Sequence, residues 1–179
     1  GSIAPEPLPL PGHENPSSKF NFIGAQLKLN MLLSVGSHHF NQRGEHVPGF
    51  NEMNNVGLGV SLQVTENTEA FTVAYRNSYA NMPKYKNDAT VMAGVNWDPL
   101  KVDMGPLNLK AGLMAGVATT LKGSYADAAP RLSAGNLTLV GGLHGETMHK
   151  PSGLGVGVSV VPPVGKAAGV AAFYLKKQF

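Results

Sequence analysis

The stretch Gly153-Leu154-Gly155-Val156-Gly157-Val158-Ser159-Val160 decides how this chain is read. Leu or Val occupies every even position, and Gly or Ser every odd one. A period of two is the mark of a strand with unlike faces. A glycine row on a water-facing surface would gain nothing, because glycine loses the most backbone entropy on folding. Inside a narrow closed barrel, the same row makes room for larger side chains or a ligand.

The same alternation recurs along the chain. Leu27, Leu29, Met31, Leu33 and Val35 interleave with Lys28, Asn30, Leu32 and Ser34. Val56, Leu58, Val60, Leu62 and Val64 interleave with Gly57, Gly59, Ser61 and Gln63. Phe71, Val73 and Tyr75 interleave with Thr72, Ala74 and Arg76. Val91, Ala93, Val95 and Trp97 follow, then Leu107, Leu109, Ala111, Leu113 and Ala115, then Leu137, Leu139 and Leu143. With residues 153–160 and a less regular 169–179, this makes eight strands, and apolar spacing of three and four is absent. The expectation is an all-β, closed eight-stranded antiparallel up-and-down β-barrel, which removes exposed sheet edges. It would fill residues 20–179, behind a proline-rich tether at 1–19 whose prolines preclude helix or inner strand.

The expected connections after the first, third and fifth strands are the longer ones (36–55, 80–88 and 122–135). The others are short: Thr65-Glu66-Asn67-Thr68, Asp98-Pro99 to Gly105-Pro106, and His149-Lys150-Pro151. Long loops on one rim and short turns on the other are the habit of outer-membrane barrels. Of 179 residues, 42% are hydrophobic and only 14% charged, below the roughly 25% typical of soluble proteins. No apolar run reaches the ~18 residues of a transmembrane helix. The net charge of +3 is scattered without a basic stripe, which argues against nucleic acid. Cysteine is absent, so disulfides and thiolate metal sites are excluded.

If the Leu/Val stripes meet lipid, the expected lumen contains Lys28, Asn30, Ser34, Arg76, Asn96, Asn108 and Lys110. If they form a core, the barrel is a soluble binder of an apolar or amphipathic ligand, or a periplasmic, surface or virion component that contacts a protein partner. A sparse aromatic girdle would draw on Phe20, Phe22, Tyr75, Tyr79, Tyr85, Trp97, Tyr174 and Phe179. Continued alternation turns His38 and Ser78 inward on the long-loop rim. A His beside a Ser is the minimal activated nucleophile, and Asn77 could orient it or donate to an oxyanion. The set Glu45, His46 and Glu52 with His38 and His39 matches no closed metal motif, so no metal and no cofactor is expected. Asp127 shares the rim. His144 and Glu146 share one strand face as lumen hydrogen-bonding groups.

Several segments together resemble the PagP family of outer-membrane lipid A palmitoyltransferases. They are Phe50-Asn51-Glu52, Gly57-Leu58-Gly59-Val60, Ala74-Tyr75-Arg76-Asn77-Ser78-Tyr79, Trp97-Asp98-Pro99-Leu100 and the Phe-Tyr-Leu-Lys-Lys-Gln-Phe ending. The likeness in order and spacing covers residues 26–100 and the C-terminus; residues 101–165 share only the strand pattern. It implies a monomeric outer-membrane barrel that moves an acyl chain from phospholipid to a lipid A-type glycolipid. By that resemblance His38, or His39 one residue on, is the family histidine, and Ser78 the family serine. Asn77 stands where the family has an aspartate. Asn96 stands where the family has the glycine that floors its acyl pocket, which implies a shorter tail or none. The proline-rich N-terminus replaces the family's amphipathic helix.

Overall fold

A computed structural model describes residues 19–22, 25–40, 56–164 and 169–179. The strands are β1 (Lys19–Phe22), β2 (Ala25–Phe40), β3 (Gly57–Gln63), β4 (Thr68–Arg76), β5 (Ala89–Met104), β6 (Leu107–Thr120), β7 (Ser133–Ala134), β8 (Leu137–His149), β9 (Leu154–Val161) and β10 (Gly169–Gln178). Eight of them form an antiparallel ring in the order β2-β3-β4-β5-β6-β8-β9-β10, closed by the pairing of β10 with β2. β1 pairs with the start of β2 outside the ring, and it begins at the last residue assigned to the tether. β7 is a two-residue addition to β8. Residues 1–18, which hold the rest of the tether, lie outside the described residues, as do Phe50, Glu45, His46 and Glu52.

The ring turns its aliphatic stripes outward. Leu58 is 62% exposed and Leu139 60%, whereas Asn30 and Glu69 are 2% exposed and Asp98 1%. Cross-strand pairing propagates this assignment around the wall. Leu113 pairs with Trp97 on one side and Leu143 on the other, and all three are exposed. Asn96, inward on β5, pairs with Glu69, inward on β4. Gly157 shows why the glycine row lies inside. A Cβ there would sit 2.0 Å from Tyr174 Cζ, so that ring occupies the space a side chain would take.

Three expectations change. First, β4 is inverted: Glu69, Phe71, Val73 and Tyr75 face the interior, and Thr72 and Ala74 are exposed. The unbroken pairing with β5 requires it, because Val73 lies opposite buried Met92 and Tyr75 opposite buried Thr90. The sequence pattern misleads because bulky side chains fill the lumen here, while small Thr and Ala face outward. Arg76 shares the outward face of Thr72 and Ala74, and its guanidinium donates to Asn81 Oδ1 at 2.8 Å, so it does not line the lumen.

Second, β5 does not end at Asp98-Pro99. It bulges there, with Trp97 opposite Leu113 but Leu100 opposite Ala111, and continues to Met104. A bulge is where an inner strand tolerates proline. Gly112 faces the bulge; a Cβ on it would lie 1.8 Å from the Trp97 carbonyl oxygen. The hairpin is closed by Gly105-Pro106 alone, with Gly105 at φ 67°, a glycine-first two-residue turn. Third, among the described residues one short α-helix is present, α1 (Ser124–Ala128), in the connection between β6 and β7. Lys28 and Asn108 are exposed, toward the short-turn end of their strands.

Candidate functional site

The interior divides along the barrel axis. Toward the short turns, inward side chains of β2, β4, β5, β6, β8 and β10 make one charged network. Lys176 Nζ bonds Glu69 Oε2 and reaches Glu146 Oε1 at 3.0 Å. Lys110 Nζ lies 3.4 Å from Glu146, 3.9 Å from Asp98 and 4.0 Å from Glu69. His144 Nδ1 is 2.8 Å from Asp98 Oδ1, and its Nε2 meets the Tyr174 hydroxyl at 2.5 Å. That hydroxyl donates to Glu146 Oε1 at 2.8 Å. Asn30 Nδ2 donates to Ser61 Oγ and Glu69 Oε2. The ions are taken from water and compensated by one another, so each depends on its partners. Asn30, Lys110, His144 and Glu146 thus lie where the period-two pattern put them. The separate strands that carry Glu69, Asp98, Tyr174 and Lys176 gave the sequence no means of linking them.

Above this network is a cavity of about 250 Å³. Its walls are largely apolar, with Leu32, Phe71, Val73, Met92, Met114 and Val140 among them. Glu69, Asn96 and Tyr174 form its turn-side floor. Ser34 lines its wall, as the alternation predicts. At the loop-side end lie Ser37, His39, Ser78, Tyr75, Tyr79 and Tyr125.

A bulge settles which histidine reaches it. Tyr174 pairs with Ser34 and Phe173 with Gly36, so Val35 is an extra residue on β2. Past that point the parity flips. Ser37 and His39 line the cavity, and His38 is exposed on the outer side. Ser78 is buried beside them, its Oγ 3.3 Å from Ser37 Oγ.

Asn77 is fully buried and fully used. Its Oδ1 caps the turn Ser78–Asn81 by accepting from Tyr79 N at 3.1 Å. Its Nδ2 donates to Thr90 Oγ1 at 3.1 Å and Ser124 Oγ at 3.4 Å. It therefore positions Ser78 and has no donor left for a substrate. Asp127, the carboxylate noted on the rim, accepts from the Tyr85 hydroxyl at 2.6 Å and pairs with Lys84.

Sequence reading missed Asp88, which is fully buried and receives Ser124 Oγ together with the backbone N–H groups of Ala89 and Lys122. Burial pushes its carboxyl up, but the bonds from Ser124, Lys122 and Ala89, with the Asn77 amide close by, outweigh that and hold it below the ordinary value. This knot fastens the 78–88 segment and α1 over the barrel mouth. Its only signal was a polar Asn-Asp-Ala-Thr run just before an apolar strand. Tyr75 and Tyr125 share a 2.6 Å hydroxyl contact beneath it. Burial, then the neighbouring Tyr125 and Tyr85, push the Tyr79 phenol up to about 12, so it stays neutral at physiological pH.

No family model and no curated protein matches this chain. Among the described residues no helix is long and apolar enough to cross a membrane, which says nothing of a barrel that crosses with strands. No group of three or more His, Asp or Glu able to hold a metal is found among the described residues.

Proposed function

We propose that this protein is a bacterial outer-membrane β-barrel that holds an apolar acyl chain in its interior and transfers it from a phospholipid to a lipid A-type glycolipid, as the PagP resemblance implies. The observation that carries this reading is the apolar cavity with Ser37, His39 and Ser78 at one end, inside a wall whose outer face is aliphatic. An aliphatic exterior and a charged interior invert the order of a water-soluble protein, and lipid is the solvent that makes such an order favourable.

In this reading His39 takes the Ser78 Oγ proton as the oxygen attacks the ester carbonyl of the phospholipid. The acyl–serine bond forms, the ester C–O bond breaks, and the lysophospholipid oxygen leaves with the proton held by His39. A glycolipid hydroxyl then attacks the acyl–serine, loses its proton to His39, and frees Ser78 as that proton returns. At the same end the Tyr75 and Tyr125 hydroxyls are bonded to each other, which leaves one phenolic proton of the pair as the donor for the carbonyl oxygen, a role that Asn77 has no spare proton to fill.

The test is transfer of a labelled acyl chain from phospholipid to lipid A by purified barrel in mixed micelles. Ser78→Ala and His39→Ala are expected to lower it at least ~100-fold. His38→Ala retains it; loss at His38 with retention at His39 reverses the register. Equal transfer by wild type, Ser78→Ala and His39→Ala removes both residues from the chemistry. No transfer by wild type, with a lipid co-purifying in the cavity, leaves a non-catalytic binder of amphiphiles.

A further inference from the structure

We infer that the cavity selects a chain bearing a hydroxyl group at its buried end, received by Asn96; this rests on the cavity being a chain-binding site. Asn96 is 5% exposed and lines the cavity floor, yet its Oδ1 has no hydrogen-bond partner. Its neighbours in the same layer are fully engaged with one another. Glu69, its pairing partner on β4, holds Asn30 and Lys176, and the Tyr174 hydroxyl is committed to Glu146 and His144. None of them turns to the Asn96 amide. Asn30 Oδ1, in the same layer, also has no partner. The floor therefore holds a buried amide oxygen to which no group of the chain donates.

An unsubstituted hydrocarbon end would seal the Asn96 carbonyl against methylene groups and leave it unpaired. That arrangement discriminates strongly in favour of a ligand that supplies the missing bond. A hydroxyl fits whichever way the amide is turned, because it both donates and accepts. A charged end does not fit, since the floor already contains its own balanced ions. A carboxylate would add repulsion at Glu69, and an ammonium would compete with Lys110 and Lys176.

The depth sets the chain length. Ser37 and Asn30 are seven residues apart on β2, but Val35 is an extra residue between them, so six strand steps separate them, about 20 Å of strand and about 15 Å of depth at the ~40° tilt of such barrels. An extended chain advances ~1.2 Å per bond, so the hydroxyl belongs about 12–14 bonds from the group held at Ser78.

The experiment is competition binding to the full-length barrel in amphipol, read by native mass spectrometry. It uses dodecanoic against 12-hydroxydodecanoic acid and tetradecanoic against 14-hydroxytetradecanoic acid. Wild type is expected to favour the hydroxy acid of at least one pair by about tenfold, equivalent to about 1.4 kcal/mol. Asn96→Leu is expected to abolish or reverse that preference; if it does not fold, Asn96→Ala gives the same comparison without added bulk. A preference that survives both variants overturns the inference. Equal binding within each pair overturns it too while leaving the chain-binding reading intact, and water then satisfies Asn96. Failure of all four acids to bind removes that reading and the hydroxyl with it.

Discussion

The two ends of the barrel interior solve one problem differently. At the turn side, the buried Glu69, Asp98, Glu146 and Lys176 and the half-buried Lys110 are joined by His144 and Tyr174 into a network in which every charge has an opposite within reach. At the loop side, hydroxyls and phenols of Ser37, Ser78, Tyr75 and Tyr125 surround one end of an open cavity, and the only fully buried carboxylate, among the described residues of that end, is Asp88 behind them. The first end is filled and self-compensating. The second keeps space and uses its carboxylate to hold the surrounding segments in place. A barrel this narrow can be stiff at one end and receptive at the other because the strands run through both. Rigidity built below positions the groups above.

The largest effect expected from breaking the contrast is at Lys176. Lys176→Met removes the cation between Glu69 and Glu146 and is expected to cost about 3–5 kcal/mol, since it strands buried carboxylates. Urea unfolding in detergent measures this; a loss under 1 kcal/mol would show that Lys110 alone compensates the network.

Leu113→Arg probes the outer wall. In lipid, an arginine flanked by Trp97 and Leu143 is expected to cost about 2–4 kcal/mol near the midplane, whereas in water the cost is close to nothing. Folding titrations into vesicles distinguish the two, and an unchanged stability would move the barrel out of the membrane.

Gly157→Ala pushes a methyl into the Tyr174 ring. The expected cost is about 1–3 kcal/mol from overpacking, with the Tyr174 hydroxyl displaced from its 2.5 Å contact with His144 Nε2. Tyrosine near-ultraviolet dichroism would report the displacement, and an undisturbed spectrum would contradict the packing described.

The smallest change is at the loop end. Because the folded Asp88 carboxyl lies below its ordinary value, its stabilisation is complete above about pH 4 and is lost as the pH falls through the folded value. Ser124→Ala deletes one donor and raises the folded value, so the stabilisation is smaller and its loss is complete at a higher pH than in wild type. Acid-dependent protease cleavage within 78–88 and 121–135 measures the shift; identical profiles would show that Ser124 does not hold the carboxylate.

Much of the wall was legible before any coordinates. The Leu/Val stripes of 107–115, 137–143 and 153–160 sorted the residues onto two faces, because the side-chain period is two, and the burial of Glu69, Asp98 and Lys176 makes the aliphatic face the outer one. Two of the errors come from a bulge. The extra Val35 turned His39 inward in place of His38, and the Asp98-Pro99 bulge carried β5 past a proline that reads as a loop. In β4 the bulky residues line the lumen, so size pointed the wrong way until the pairing of Val73 with Met92 and Tyr75 with Thr90 was known.

Alternation, glycine placement and loop lengths were therefore enough, by themselves, to give an antiparallel eight-stranded barrel with its mouth on the long-loop rim. These are local properties of each strand and turn. The bulges, the partners of Lys176 and the Asp88 knot were decided only by tertiary structure. Each depends on residues brought together from strands tens of positions apart, and a bulge changes facing without changing composition.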